Sequence, residues 1–410
     1  MKSSTASPLL WLIGLAIGAL PFSSANAIIY HGPIVVDDNY IKMNGNIITG
    51  NYQGTMTSPA INVQSGSPVT IINSVVTGPG DLIYGQGVDL TVIHTSGIST
   101  NPNVAGQQKG MFIHIEGAVS LDIENNTAQG PRFGIYINSY VGNFNHTEPM
   151  RIINNVFSNI DARPSDGQGG YVTSGEWNGH GIQLNQVHNT PNVEIAWNQI
   201  INTPRMSQCS DIINIYESSG TATSHILIHD NYVQGAYPAN PGDKYTGGGI
   251  ITDGSPNDTA QNATAYIDVY NNQVVSSANY GLSIAAGHDN HFYSNRVISS
   301  GYLSDHTFIP MSYSNGINNY NNYNQPATTF YNNLTELNNP VGLIASQGSG
   351  PNGGASGIPR RSDYYLPGQS GNTNVSFQPA NAQNPTNANE QQELALWQTK
   401  LKAKHKKIGV

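Results

Sequence analysis

Charge is scarce in this chain of 410 residues: Asp, Glu, Lys and Arg together make up 10% of it. That excludes the Lys/Glu-rich make-up of a solvent-laced helical protein. There is one cysteine, Cys209, so no intrachain disulfide can form and stability must come from burial and hydrogen-bond ladders. Its setting, QCSD, places an acid two residues on, which argues against an activated thiolate. Bases are rarer still in the body. Five of the sixteen crowd into KLKAKHKKIGV at 400–410, leaving 23 acids against 10 bases between Ile28 and Asn389. A nucleic-acid partner, which needs a basic face, is disfavoured. A strongly anionic polymer would need local arginines or calcium to compensate, so calcium is kept open as a cofactor; no other cofactor is called for.

The one long apolar run, PLLWLIGLAIGAL at 8–20, follows Lys2 and precedes Ala25-Asn26-Ala27. A basic start, a short apolar core and an A-x-A site describe a Sec-type signal peptide over 1–27, too short for a stable span. The expectation is an exported chain, secreted or periplasmic, starting near Ile28, with an uncleaved anchor as the alternative. No later run reaches spanning length. Tyr outnumbers Phe by 22 to 9, which suits a wet surface that handles sugars or, more plainly, core rings with polar tips.

What the chain has in quantity is a repeated phrase. It reads AINVQSGSPVTIINSVV at 60–76, MFIHIEGAVSLDIENNTA at 111–128, GIYINSYVGNFNHTEPMRIINNVF at 134–157 and GIQLNQVHNTPNVEIAWNQII at 181–201. Further copies bring the count to nine, ending in a ragged GINNYNNYNQPATTFYNNL at 316–334. Phrases of about twenty residues with variable insertions describe a solenoid whose units bury apolar faces only by stacking. The Ile/Val-rich segments are too short and too β-branched for helices and read as strands. Stacked in register, Asn126, Asn155, Asn198, Asn231, Asn272 and Asn295 would form a ladder of side-chain amides.

The G-I-x-I strand followed by an x-x-N-N strand resembles the right-handed parallel β-helix proteins of the pectate-lyase-like superfamily, over residues 45–335. The resemblance implies an all-β solenoid of about nine rungs, roughly 40 Å long at the spacing of neighbouring strands. The expected organisation is a β-helix over 28–335, a Gly/Pro/Asn-rich wrap or linker over 336–389, and a basic amphipathic helix over 390–410 that caps or clasps the barrel. The wrap contains RRSDYYLPG, aromatic enough to dock on the rungs. The lysine-rich tail is read as a solvated helix end, with attachment to an anionic surface as the alternative.

If the first and third apolar residues of GIxI point inward, their neighbours face out. His114, Tyr136, Gln183, Asn214, Ile251 and Ser283 then form one outward column, and Glu116, Asn138, Asn185, Tyr216, Asp253 and Ala285 another. The longest insertions, at 158–180, 202–211 and 234–248, fall on consecutive rungs and hold much of the chain's charge, so a cleft walled by them and floored by GIxI strands is expected. The candidate catalytic residues are Glu176, His180, Asp211, Arg205, Glu217, Asp253 and Lys244. The candidate substrate-binding residues are Arg163, Trp177, Tyr136, Gln183, Asn185, Asn214 and Tyr216, and no metal-ligand set is identified. Asp211 precedes its strand as His180 does one rung earlier, which predicts a carboxylate–imidazole pair that raises the histidine's pKa.

Three chemistries fit such a cleft. A glycoside hydrolase needs one protonated carboxyl and one carboxylate, drawn here from Glu176, Asp211, Glu217 and Asp253. A polysaccharide lyase needs a base beside a group that neutralises a uronate, for which Arg163, Arg205, Lys244 and His180 are available; an epimerase shares that proton abstraction. A glycan-binding or surface-adhesion module needs only platforms such as Trp177, Tyr216 and Tyr245. Gly179-His180-Gly181 resembles the G-H-G of polygalacturonase-type hydrolases, but HIEG and YINS stand where that family places N-T-D and D-D. The sequence therefore points to an exported, monomeric polysaccharide-active enzyme, lyase or hydrolase, with the non-catalytic binding solenoid as the alternative.

Overall fold

The computed structural model describes residues 29–142, 150–243, 247–300, 302–307, 309, 315–336, 338–343, 364–365, 373–375 and 387–410. The expected signal segment, Lys244, Tyr245 and most of 336–389 lie outside the described residues. Short strands dominate the rest, and every inter-strand ladder is parallel. They stack into one sheet of twenty strands and one of ten, the three faces of a parallel β-helix. The larger sheet comprises two faces, joined where Ile83–Ile93 and Ile113–Glu124 run straight through the corner between them.

Each rung contributes one strand to each face. On the first face, Ile135–Tyr140 pairs with Ile182–Asn185, which pairs with Ile213–Tyr216 and then Ile250–Asp253. The register aligns Ile135, Ile182, Ile213 and Ile250, all fully buried, as one internal stack. The alternate residues Tyr136, Gln183, Asn214 and Ile251 form one outward column, and Asn138, Asn185, Tyr216 and Asp253 the other. The glycine that opens GIxI is required by close approach. A Cβ on Gly181 would lie 2.7 Å from the Ile212 carbonyl of the next rung, and one on Gly249 2.3 Å from that of Gly281.

Ten complete rungs are described, against the nine read from sequence. The additional one, first in the chain, is built from Ile34–Val36, Ile47–Ile48 and Asn51–Gln53. The helix Asp38–Asn44 interrupts it, and Tyr40 and Ile41 of that helix pack on the core at the open end. Beyond the tenth rung, Tyr364–Tyr365 and Thr373–Val375 add parallel strands on two faces.

The corner between the second and third faces sets the register. Asn125, Asn154, Trp197, Asp230, Asn271 and Ser294 all have positive φ, and the residue after each is a buried asparagine. An Asn or Asp tolerates that left-handed conformation best, which explains the recurrent NN and DN pairs. Asn198 is typical. Its Oδ1 accepts from the backbone N–H and the Nδ2 of Asn155 at 3.0 and 2.9 Å, and its Nδ2 donates to the Ile152 carbonyl and to Asn231 Oδ1 at 2.8 and 3.0 Å. The ladder runs from Asn126 to Asn338, one residue further than the six asparagines anticipated.

The C-terminal helix, Asn387–Ala403, does not cap an end but clasps the flank. Glu393 binds Arg296 at 3.0 and 2.7 Å, Trp397 is fully buried and donates its indole N–H to the Asp230 carbonyl at 2.9 Å, and the Gly409 N–H reaches the Asn154 carbonyl at 2.8 Å. The segment thus straps several rungs together on the side away from the first face. Lys400 and Lys406 lie over the Trp197 ring, so part of the basic tail is committed to the fold.

Replacing Asn198 with Ala leaves two donors of Asn155 and one strand carbonyl unpaired in a dry corner. Urea denaturation is expected to show a loss of about 2–5 kcal/mol. A loss well under 1 kcal/mol would mean that the ladder follows register instead of setting it.

Candidate active site

The first face presents a hollow of ≈ 480 Å³ over its middle rungs. Its floor is the two outward columns: His114, Tyr136, Gln183 and Asn214 in one, Glu116, Asn185, Tyr216 and Asp253 in the other. His180, Asn178, Ser210 and Asp211, which lead into their strands from the third-face loops, form one wall. A second hollow of ≈ 560 Å³, lined by Asn62, Asp81, Tyr84, Gln107, Lys109 and Arg132, continues it toward the N-terminal rungs, with Arg132 lining both. Together they make a trough along the solenoid axis, six strand spacings or about 30 Å from Asn62 to Asp253.

At its C-terminal end sit two carboxyls on successive rungs. Asp211 Oδ1 accepts from the Tyr280 hydroxyl and, at 2.9 Å, from the Gly248 N–H. Asp253 Oδ1 accepts from the Tyr323 hydroxyl and, at 3.0 Å, from the Gly254 N–H. Between them the Asn214 amide donates one N–H to each Oδ2, at 3.0 Å in both cases, while its Oδ1 accepts from Gln183 at 3.1 Å. Sharing one nitrogen holds the two Oδ2 atoms within about 6 Å of each other. Burial raises the pKa of Asp211, assisted by the charge of Glu176 and opposed by its three donors. Burial likewise raises Asp253, assisted by the charge of Asp211.

His180 does not pair with the Asp211 carboxylate. Its Nδ1 lies 2.7 Å from the Asp211 carbonyl oxygen and 3.2 Å from the Asp211 backbone nitrogen, donating to the first or accepting from the second according to the tautomer. The ring is buried edge-on to Phe133. Burial pushes its pKa down to about 4, the reverse of the rise expected from a carboxylate neighbour, because the partner is a neutral carbonyl. His180 is therefore a neutral imidazole that fixes the approach of Asp211 to its strand.

The remaining sequence candidates divide. Tyr136, Gln183, Asn185, Asn214, Tyr216 and Asp253 line the hollow with His180 and Asp211. Glu176 is exposed on the wall loop near Asp211, and that loop is tied by Ser174 and the Gly175 N–H to Asp243, both at 2.9 Å. Trp177 folds back so that its ring covers Gly175 and acts as a loop anchor. Arg163 is not available to substrate: it is buried and grips Asp161 through Nε at 2.7 Å, beside Lys109 on the same carboxylate at 3.1 Å. Arg205 turns away to Asp305 and Thr307, at 3.2 and 3.0 Å. Glu217 has positive φ and turns into the next corner, accepting from Gln186 at 3.1 Å. Cys209 is buried, which pushes its thiol pKa up and makes it inert.

Two further groups belong to the site: His114, placed in an outward column by the sequence but given no role, and Arg132, which the sequence did not single out. His114 is held between Asp81, at 2.7 Å from Nδ1, and Glu116, at 3.0 Å from Nε2. Burial pulls its pKa down, but those two acids outweigh it and the net shift is upward. Arg132 lies over Phe133 and donates Nε–H to the Asn178 carbonyl at 3.2 Å. His114 lies within the strand Ile113–Glu124, whereas Arg132 stands just before a GIxI-type strand, as His180 and Asp211 do, but in a short connection in place of a long insertion. As for calcium, among the described residues no three His, Cys, Asp or Glu side chains converge as ligands. Both oxygens of Asp253 are already taken by donors, which a cation would have to displace, so this carboxylate does not fit a calcium cage.

The raised pKa of Asp253 carries a stability consequence. Its folded state holds the proton more tightly than the unfolded chain, so its contribution is full below about pH 3.9 and is lost as pH rises through the raised value. The Tyr323 hydroxyl limits that loss by donating to the ionised form. Tyr323→Phe should lower stability at pH 7 by about 1–3 kcal/mol and much less at pH 3, read from thermal melts at the two pH values; equal losses would contradict an ionisable partner.

No family model matches the chain, and no curated protein matches it. Among solved structures, a mutant of the PL6 family alginate lyase AlyGC aligns with 12% identity and a TM-score of 0.21, over 85% of this chain and 50% of the other. The chain thus spans about half the length of that protein.

Proposed function

We propose that this protein is an exported glycoside hydrolase whose acid and nucleophile are Asp211 and Asp253. The observation that carries this reading is the Asn214 amide shared between two pKa-raised carboxyls that line a trough open along the solenoid axis. Asp211 is the more enclosed, 7% exposed, with a second carboxylate, Glu176, nearby. It is the better proton donor to the leaving glycosidic oxygen. Asp253, one rung on, attacks the anomeric carbon, and Asp211 then takes a proton from the water that releases the glycosyl ester. Carboxyls within about 6 Å suit this double displacement, which needs ~5–5.5 Å, better than single displacement, which needs ~6.5–9.5 Å.

Lyase chemistry is less well supported. It would need a base next to a cation that neutralises a uronate. The imidazole beside Asp211 and Asp253, His180, is neutral with a pKa pushed down to about 4; His114, further along the trough, has both ring nitrogens held by Asp81 and Glu116, and the candidates Arg163 and Arg205 are bound elsewhere. Two carboxylates at the cleavage point also repel a uronate placed there.

Incubation with a panel of neutral and mixed polysaccharides, reading reducing ends and the absorbance of unsaturated products, tests the class. New reducing ends with retained anomeric configuration by NMR are expected. Asp211→Asn and Asp253→Asn should each lower kcat by about 10³-fold while far-UV circular dichroism is unchanged. Unsaturated products would assign a lyase. Neither signal on any polymer, with retention on a glycan array, would assign a binding module.

A further inference from the structure

The cations of the trough lie at one end. Asp211 and Asp253, at the C-terminal end, have no lining cation beside them among the described residues, whereas the lining guanidinium and ammonium groups, Arg132 and Lys109, belong to the N-terminal part, which also holds Asp81 and Glu116. Lys109 is committed to Asp161 at 3.1 Å. Arg132 is not committed to any acid. Of the five arginines described, Arg151, Arg163, Arg205 and Arg296 each contact a carboxylate; Arg132 makes only its Nε bond to the Asn178 carbonyl. Asp81, the acid whose charge acts on Arg132, has its oxygens engaged by His114 and by the Met111 N–H, at 2.7 and 2.8 Å. The guanidinium is half-buried and braced over Phe133, 5.0 Å from the ring centroid.

Burial lowers the pKa of Arg132 and the charge of Asp81 offsets only part of that, so this positioned guanidinium, with no carboxylate bonded to it, keeps part of its desolvation uncompensated. With Nε occupied, its two Nη groups remain as a fork, the geometry that matches a carboxylate through two parallel N–H donors. Arg132 leads into the strand Ile135–Tyr140, two rungs before Asp211 and three before Asp253. That sets it about 10–15 Å from the cleavage point, more than one sugar ring away.

We infer that Arg132 is a subsite for the carboxylate of a uronic acid unit, and that the substrate is a mixed glycan with a neutral sugar over Asp211 and Asp253 and an acidic sugar on the N-terminal side. The inference rests on the hydrolase reading for where cleavage occurs, but the carboxylate subsite itself stands apart from it. A homopolymer of uronate would put like charge on the carboxyl pair; a neutral homopolymer would leave Arg132 unpaired.

Binding separates the two claims. Calorimetry on the full chain carrying Asp253→Asn would compare a uronate–hexose oligosaccharide, the same compound with its carboxyl reduced to an alcohol, and a sulfate-ester analogue. The uronate compound is expected to bind at least about tenfold more tightly than the reduced one. Arg132→Met, which keeps the apolar stem over Phe133, should erase that preference and leave the reduced compound's affinity unchanged. Arg132→Lys should restore only part of it. Equal binding of uronate and reduced compounds, tighter binding of the sulfate ester, or loss of all binding in Arg132→Met would each overturn the subsite. If the preference depends on Arg132 but no polymer yields reducing ends, the hydrolase reading fails and the subsite remains.

Discussion

The constraint on which this protein depends is that every rung must sit in register with the next. The amide ladder supplies that register. Each buried asparagine is held by the backbone of the rung before and the side chain of the rung after, so a slip of one residue would strand several polar groups in a dry corner, at a cost of order 1–3 kcal/mol apiece. The strands of the first face are short, three to six residues in most rungs, and could not hold register alone. Fixed at the far corner and strapped by the C-terminal helix, they carry the outward columns as a rigid array. Asp211, Asn214 and Asp253 meet because Ile213 is opposite Ile250.

That rigidity makes the carboxyl pair tolerable. Two partly desolvated acids on neighbouring rungs repel, and here each is held by a tyrosine hydroxyl, a backbone N–H and half of a shared amide. These donors favour the ionised forms, yet burial still wins and both pKa values lie above the ordinary range. In the proposed hydrolase one of the two donates a proton and the other attacks, a division of roles that requires their environments to differ. A catalytic pair built from loops would require the loops to be ordered first; here the second member lies on a sheet strand and the first immediately precedes one.

Much of the scaffold was legible because it repeats. GIxI marks a strand whose glycine must clear the next rung, and xxNN marks a left-handed residue followed by a ladder amide, which aligns rungs four to nine; in rungs two and three Ser74 and Thr95 follow the left-handed residue instead. The first rung was not legible, because its strands lack the asparagine corner and a helix divides them. The tenth rung carried no ladder residue in the sequence reading. FYNN at 330–333 has the form of a ladder corner, but Asn333 belongs to the preceding corner, where it accepts from the Asn290 N–H at 3.2 Å; the ladder residue is Asn338. Within the site, the outward columns followed from strand alternation. The destinations of Arg163 and Arg205 did not, since a charged loop residue finds its partner through chain paths that periodicity does not encode.

Linear architecture also decides how such a surface discriminates. A solenoid adds one pair of outward side chains per step of about 4.8 Å, so the trough meets a polymer as a row of nearly independent stations. In the proposed hydrolase, charge placed two or three rungs from the carboxyl pair would act on a different sugar from the one cleaved, and at that range it is screened from the pair by water and salt. Acidic chemistry and recognition of an acidic sugar can therefore coexist in one trough, provided that they occupy different rungs. Arg132 and Asp253 stand three rungs apart, which is the separation the proposed division of labour requires.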